Sequence, residues 1–306
     1  MATGFADWLS FERAIKLRIM HFRVITSRNN EMLKLARAVR DGREPDLIFI
    51  EGARLCEEAL RSETKIEELL VAESTLADEK IAKLIAKLRA KATQMRIVRD
   101  DIFASVADTA TPQGIILLAR RPQTDRHEFE RCLAARNEAR SDVPLIVILH
   151  RLNNPLNAGA IARTSEAAGA IGLIATQGTT DLLSPKALRG AMGSSLRLPI
   201  WTGARLDEAL AWCRTHAIRT VALDPRAEVS HTEFDWRAPC AILLGAEAEG
   251  LSADERRATD ERVRIPMRPP VESLNVAVAA GIVLYEAVRQ RGFGSELPSS
   301  RALRLE

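Results

Sequence analysis

Apolar and polar positions along residues 25–119 switch repeatedly between two periods. In "NNEMLKLARAVRDG", Leu33, Leu35, Ala36 and Val39 recur near helical spacing, and the run stops at Gly42. "DLIFIEG" is a short apolar run that predicts a buried strand, and "ARLCEEALRS" after it predicts a helix. "IEELLVAES" reads as a strand, followed by a helix in "DEKIAKLIAKLRAK" with Ile81, Leu84, Ile85 and Leu88 on one face. "MRIVRD", "DIFASVAD" and "GIILLAR" complete a small α/β unit.

From Arg120 to Asp142 the pattern gives way to charge, in "RRPQTDRHEFERCLAARNEARSD". This stretch opens with Pro122 and closes before Pro144, which marks a linker able to hold a helix. A second unit follows, with strands expected in "LIVIL", "IGLIA", "IRTVAL", "CAILLG" and "ERVRIPM". Helices are expected at 157–169, 185–193, 206–216 and 274–291. Strands alternating with helices of roughly ten to fifteen residues predict a mostly parallel α/β sheet.

Composition narrows this little further. Of 306 residues, 46% are hydrophobic and 28% charged, as in a globular protein, and no apolar run is long enough for a membrane span. Cys56, Cys132, Cys213 and Cys240 are scattered without a CxxC pair, which argues against a zinc site or disulfide framework and suits a reducing compartment. Net charge is only +3, but residues 1–45 hold nine Lys or Arg (13, 16, 18, 23, 28, 34, 37, 40, 43) against five acids (7, 12, 31, 41, 44). A basic arm suits a phosphate backbone, and a plain solvated face has the same composition. "MATGFADWLSFERAIKLRIM" contains acids and no continuous apolar core, so it is no signal peptide, and Met20 is a second candidate start.

Three stretches of the second unit depart from what packing alone asks for, each beside an expected strand. In "HRLNNPLNAGAIARTSEAAGA", Asn157 is placed to cap a helix, and Ala158, Gly159, Ala160 and Ala162 let another backbone approach closely. Arg163 is the odd residue of that helix, and a solvated surface arginine is its plain reading. In "CAILLGAEAEGLS" a buried strand runs into Gly245, then Glu247, Glu249 and Gly250, which is also the look of an ordinary strand-to-helix loop. In "VRIPMRPPVESLNVAVAAGIVLYEAVRQR", Ser273 and Asn275 stand before a helix that is apolar around most of its circumference. Ser273 is the simple N-cap, while Asn275 needs a partner. GxxxxGK[ST], GxGxxG, HExxH and GxSxG are all absent, which argues against nucleotide kinases, dinucleotide oxidoreductases, zinc proteases and serine hydrolases.

Taken together, "NAGAIARTSEAAGA", "LLGAEAEGL" and "IPM…SLNVAVAAGIVLYEA" resemble the three motifs of the SpoU/TrmH family of RNA ribose 2′-O-methyltransferases, over residues 143–291. The first unit, with "TSRNN", "FIEGARLCEEAL" and "TPQGIILLA", is similar to the L30e-like substrate-binding domain found ahead of the catalytic domain in many members. Two positions depart from the family pattern: Ala248 stands where glycine is frequent, and Ala277 where serine is frequent.

The resemblance implies a parallel-sheet α/β catalytic domain with a deep trefoil knot, against the general rule that chains do not thread loops. The organisation it implies is an N-terminal extension (1–24), an L30e-like domain (25–120), a linker (121–142), a methyltransferase domain (143–295) and a tail (296–306). The cofactor that the resemblance implies is S-adenosyl-L-methionine, held around Leu244, Gly245, Ile265, Met267 and Leu274, with no metal required. Arg163, Asn157, Glu247, Ser273 and Asn275 are the catalytic candidates. The resemblance further implies RNA as the partner, rRNA (23S) ahead of tRNA, and a cytoplasmic homodimer, with a non-catalytic RNA-binding protein as the alternative from a different class.

Overall fold

The computed structural model describes residues 24–62, 64–139, 143–246 and 250–292. The expected N-terminal extension and C-terminal tail, and Glu247 with its neighbours Ala248 and Glu249, therefore fall outside the described residues, except for Val24. The chain divides into two units at Arg121/Pro122.

The first unit contains β1 (Leu47–Glu51), β2 (Ile66–Ala72), β3 (Gln94–Val98) and β4 (Ile115–Arg120), with α1 (Glu31–Arg40), α2 (Ala53–Arg61), α3 (Glu79–Lys91) and α4 (Asp100–Phe103). The sheet order is β1-β4-β2-β3; β4 runs antiparallel to both its neighbours, and β2 and β3 are parallel. Asn30 and Asp78 cap α1 and α3 by accepting backbone N–H bonds. In α3 the buried residues are Ala82, Leu84, Ile85 and Leu88, so the apolar face lies slightly off the expected one and Ile81 is half-buried. The buried Glu51 carboxylate accepts from the Asp108 and Thr109 amides, tying the loop before β4 to the end of β1.

The second unit contains α5 (Arg126–Ala139), β5 (Leu145–Leu149), α6 (Pro155–Ala167), β6 (Gly172–Thr176), α7 (Pro185–Ala191) and α8 (Ser194–Arg197). It continues with β7 (Ile200–Ala204), α9 (Leu206–Thr215), β8 (Arg219–Leu223), β9 (Cys240–Leu244), α10 (Ala253–Arg257), β10 (Glu261–Val263) and α11 (Val276–Arg291). All six strands are parallel, in the order β10-β8-β9-β5-β6-β7.

β5 and β9 are buried on both faces, which is why they read as unbroken apolar runs. Leu145, Val147 and Leu149 face one core with Ile161, Val283 and Leu284; Ile146 and Ile148 face the other with Phe129, Leu210 and Trp212.

Three features differ from the sequence reading. The stretch expected as a linker is part of the second unit: Phe129 and Leu133 of α5 are buried in its core, and the Thr202 amide donates to the Thr124 carbonyl at 2.7 Å. Its many charges hid those two anchors. Strand β7, with Thr202 and Gly203, was not expected; it sits at the sheet edge, where an apolar run is not required. Strand β10 ends at Val263 rather than running through "VRIPM", with Pro266, which has no N–H to continue a ladder, soon after.

Helices α6 and α7 cross backbone to backbone. A Cβ on Gly159 would overlap the Ala187 carbonyl oxygen and stand 2.8 Å from the Ala191 amide nitrogen. One on Gly190 would stand 2.9 Å from the Leu156 carbonyl. On its other side α6 meets α11, where a Cβ on Gly281 would have room, 3.8 Å from the Thr164 methyl. Gly159→Ala is therefore expected to force α7 off α6, costing about 1–3 kcal/mol by overpacking. Thermal unfolding checks this: the melting temperature should fall by several degrees, whereas Gly281→Ala should move it far less.

Candidate active site

Asn154, not Asn157, caps α6. Its side chain accepts from the Leu156 and Asn157 amides at 2.9 and 3.3 Å, and Pro155 takes the first helical position, where its missing N–H costs nothing. Asn157 consequently sits in the first turn, and Arg163 lies in mid-helix rather than near its start. Similarly, Asn275 and not Ser273 caps α11, accepting from the Ala277 and Val278 amides at 2.9 and 3.3 Å. Asn275 Nδ2 also donates to Asn157 Oδ1 at 3.2 Å, but Asn275 is exposed, so the burial expected to require such a partner is absent. Two of the candidate residues, 118 positions apart, thus join the N-terminal turns of α6 and α11.

The far end of α11 is fixed as firmly. Arg291 donates to the carbonyls of Val143 and Trp236 at 2.7 Å, of Ala238 at 2.9 Å and of Pro144 at 3.2 Å. Burial pulls the Arg291 pKa down, so this set of carbonyls compensates for much of the lost hydration.

At the carboxyl ends of β8 and β9, and against the chain that follows β10, lies a cavity of about 530 Å³. Parallel sheets gather ligands at this edge. Leu244, Gly245, Ile265, Met267 and Leu274, the five residues expected around the cofactor, all line it, and so does Ser273. Gly245 has no room for a side chain: a Cβ would stand 2.8 Å from Leu251 Cγ, so its smallness lets Gly250 and Leu251 pack against the end of β9.

Asp224, Arg226, Arg256 and Glu272 form the charged part of the lining, which the sequence reading did not single out. Isolated acids and arginines carry no spacing signal; only the end of β8 and the short helix α10 bring them together. Asp224 is 4% exposed, its Oδ1 accepts from the Arg226 amide at 3.0 Å, and its Oδ2 has no hydrogen bond among the described residues.

Arg163, Asn157 and Asn275 are not in the cavity lining. Arg163 is exposed, and its guanidinium has no hydrogen bond or ion pair among the described residues. Glu166, one turn on, is the natural i,i+3 partner, but Arg197 of α8 grips it with two hydrogen bonds of 2.8 Å each.

Beside the cavity, His150 Nδ1 pairs with Thr176 Oγ1 at 2.8 Å, and Nε2 stands against both Arg151 Nε at 2.9 Å and Glu255 Oε1 at 3.1 Å. Burial lowers the His150 pKa, and the Glu255 carboxylate works against that shift. Arg151, in the left-handed region at φ 53°, also donates to Glu255 of α10, which ties that helix to the end of β5. Among the described residues no three His, Cys, Asp or Glu side chains are placed to hold a metal ion.

A parallel α/β unit with a ligand-sized cavity at its carboxyl edge, preceded by a smaller mixed-sheet unit, is an architecture with known relatives. The SpoU rRNA methylase family matches residues 144–285, and the RNA 2′-O ribose methyltransferase substrate-binding family matches residues 49–125. An uncharacterized tRNA/rRNA methyltransferase of Synechocystis sp. is 33% identical over 87% of this chain and 94% of its own. A 23S rRNA (guanosine-2′-O-)-methyltransferase, RlmB, of Shewanella oneidensis is 30% identical over 81% of this chain and 99% of its own. Among solved structures, an AdoMet-bound rRNA methyltransferase from Sinorhizobium meliloti superposes with a TM-score of 0.75 at 27% identity, covering 88% of this chain and 98% of that one. The chain belongs to the SpoU rRNA methylase family.

The Glu166–Arg197 pair has a measurable consequence. In Arg197→Ala, Glu166 loses its bidentate partner and can turn to Arg163. Modification of Arg163 by phenylglyoxal, followed by peptide mass spectrometry, is expected to slow about twofold, the scale of an i,i+3 pair. Adding Glu166→Gln should restore the rate; a double variant as slow as the single one contradicts the pairing.

Proposed function

We propose that this chain is an S-adenosyl-L-methionine-dependent RNA 2′-O-methyltransferase that methylates a ribose 2′-hydroxyl of 23S rRNA. The observation that carries the reading is the cavity at the carboxyl edge of the second sheet, in a chain of the SpoU family. The Shewanella relative is named for 2′-O-methylation of 23S rRNA, and the Sinorhizobium structure holds AdoMet. A tRNA substrate has behind it the joint tRNA/rRNA names of uncharacterized relatives from Synechocystis and mycobacteria, none of which names tRNA alone. The substrate puts the enzyme in the cytoplasm, and the first unit receives the RNA.

The residues present fit the cofactor. The volume suits a ligand of its size, and Leu244, Leu251, Ile265 and Leu274 offer an apolar slot for adenine. Buried Asp224 Oδ2, which has no donor among the described residues, marks a polar end. Leu244, Gly245, Ile265, Met267 and Leu274 hold the cofactor within a trefoil knot made between β9 and α11. When bound, it supplies an electrophilic methyl group on a sulfonium.

Arg163 stays charged, because a guanidinium does not give up its proton in a protein. It grips the phosphate beside the target ribose and stabilises negative charge developing on the 2′ oxygen. Asn157 and Asn275 fix the two helix ends against which the ribose is placed, Ser273 offers it a hydroxyl, and Glu247 positions an arginine. As the 2′ oxygen bonds to the methyl carbon and the sulfonium C–S bond breaks, the 2′ proton passes to a phosphate oxygen, water or Glu247, and not to Arg163.

The active enzyme is a homodimer, with the site drawn from both copies. Arg163 is exposed and lies outside its own chain's cavity, which supports a site completed by a second copy. Among the described residues, exposed Leu156, Leu274, Val278 and Tyr285 lie along α11 and beside its N-terminus, an apolar surface suited to burial against another chain.

Transfer of tritiated methyl from S-adenosylmethionine to purified 23S rRNA tests the reading. Label is expected in one nucleotide whose 3′ linkage resists alkali, as a 2′-O-methyl requires. Arg163→Ala should lose about a hundredfold or more in rate, with folding and cofactor binding unchanged. Arg163→Lys should fail as well, lacking the planar fork. Label on a base, or near-normal transfer by the alanine variant, contradicts the assignment.

A further inference from the structure

Arg256 has no part in the reaction outlined above, yet it is the most enclosed cation of the cavity. Its side chain is 20% exposed and lines the cavity wall. The guanidinium is held from one side only: NH1 donates to the Leu251 carbonyl at 2.6 Å. Nε stands 3.4 Å from Asp224 Oδ2, but it is not aimed at that oxygen, which keeps no hydrogen bond among the described residues. A half-enclosed guanidinium with unmet donors, backed by a buried carboxylate, is matched to an oxyanion that can accept from its planar fork.

The surrounding charges narrow the ligand. Across the lining, Asp224 and Glu272 balance Arg226 and Arg256, so a ligand end leaves the set neutral only if it carries an anion and a cation together. Glu272, exposed on the same cavity lining, is there to meet that cation. An α-amino acid tail, with carboxylate and ammonium on one carbon, has this pairing. We infer that Arg256 receives the α-carboxylate of the cofactor's methionine tail and that Asp224 is the positioning residue that holds Arg256 toward it. This rests on the cofactor reading of the cavity above. Arg226, the other arginine of the lining, is exposed, and its charge is screened by water, which makes it the weaker competitor.

Calorimetric titration of the full-length protein with two cofactor products provides the test. S-adenosylhomocysteine carries the amino acid tail, and 5′-methylthioadenosine lacks it while keeping the nucleoside and sulfur. Arg256→Gln is expected to weaken S-adenosylhomocysteine about tenfold or more, the scale of a lost charge-assisted hydrogen bond, and to leave 5′-methylthioadenosine within about twofold of the parent. Arg226→Gln should change neither by more than about twofold. Arg256→Lys, which keeps the charge without the fork, should fall between the parent and the glutamine variant. Unliganded melting temperatures verify folding, and a variant that melts early is replaced in the comparison by Arg256→Lys.

Equal weakening of both ligands overturns the inference, because Arg256 would then serve the pocket's shape and not the tail. Unchanged binding of both ligands, with weakened affinity for rRNA, overturns it too and transfers Arg256 to a phosphate. A parent protein that binds neither ligand removes the cofactor reading itself, an outcome distinct from the other two.

Discussion

Helix α6 is where the second unit's geometry is decided. On one side its backbone touches that of α7 so closely that Gly159 and Gly190 leave no room for a methyl group. On the other side it meets α11, and the two N-terminal turns are joined by the Asn275–Asn157 hydrogen bond. A helix held in this way cannot shift without breaking a close-packed crossing, which proteins resist more strongly than they resist the loss of any one surface contact. Arg163 rides on this helix, so its position is set by contacts it does not itself make.

The same economy governs the cavity. Its walls are the ends of β8 and β9 and the chain leading into α11, so each depends on the sheet register and on where α11 begins. Arg291 fixes one end of α11 through four carbonyls, and Asn275 fixes the other. Between those anchors the helix buries Ala280, Val283, Leu284 and Ala287 against the sheet. The charged groups around the cavity are arranged by neighbours in sequence as well: Glu255 ties α10 to the end of β5, and Arg256 beside it is thereby turned to the cavity wall. Exposed pairs contribute little to stability, so the value of these contacts lies in orientation.

Much of this was legible in the residues. Doubly buried β5 and β9 announced themselves as apolar runs, and the small residues of α6 foretold a close helix crossing. The expected burial at Asn275 did not follow from its place before an apolar helix, because the N-cap position of α11 is exposed, and its bond to Asn157 is set by how the two helices cross. The helix starts were misplaced because Asn154 and Asn157 are both competent caps, and only Pro155 at the first helical position separates them. Charge in the 120–142 stretch concealed Phe129 and Leu133, two apolar anchors in a polar context. Asp224, Arg226, Arg256 and Glu272 could not be found by pattern, since their meeting is a product of topology. Glu247, singled out by its motif, lies outside the described residues.

The claim on which the rest hangs is that α6 and α11 act as one unit through Asn157 and Asn275. A double-mutant cycle on the single-turnover rate of methyl transfer measures this directly, with Asn157→Ala removing the acceptor and Asn275→Ser keeping a competent N-cap while withdrawing the reach to α6. If the two residues work through their shared hydrogen bond, each single variant slows transfer and the double variant is no slower than the worse single one. Rate losses that multiply in the double variant would show two independent residues and contradict the coupling.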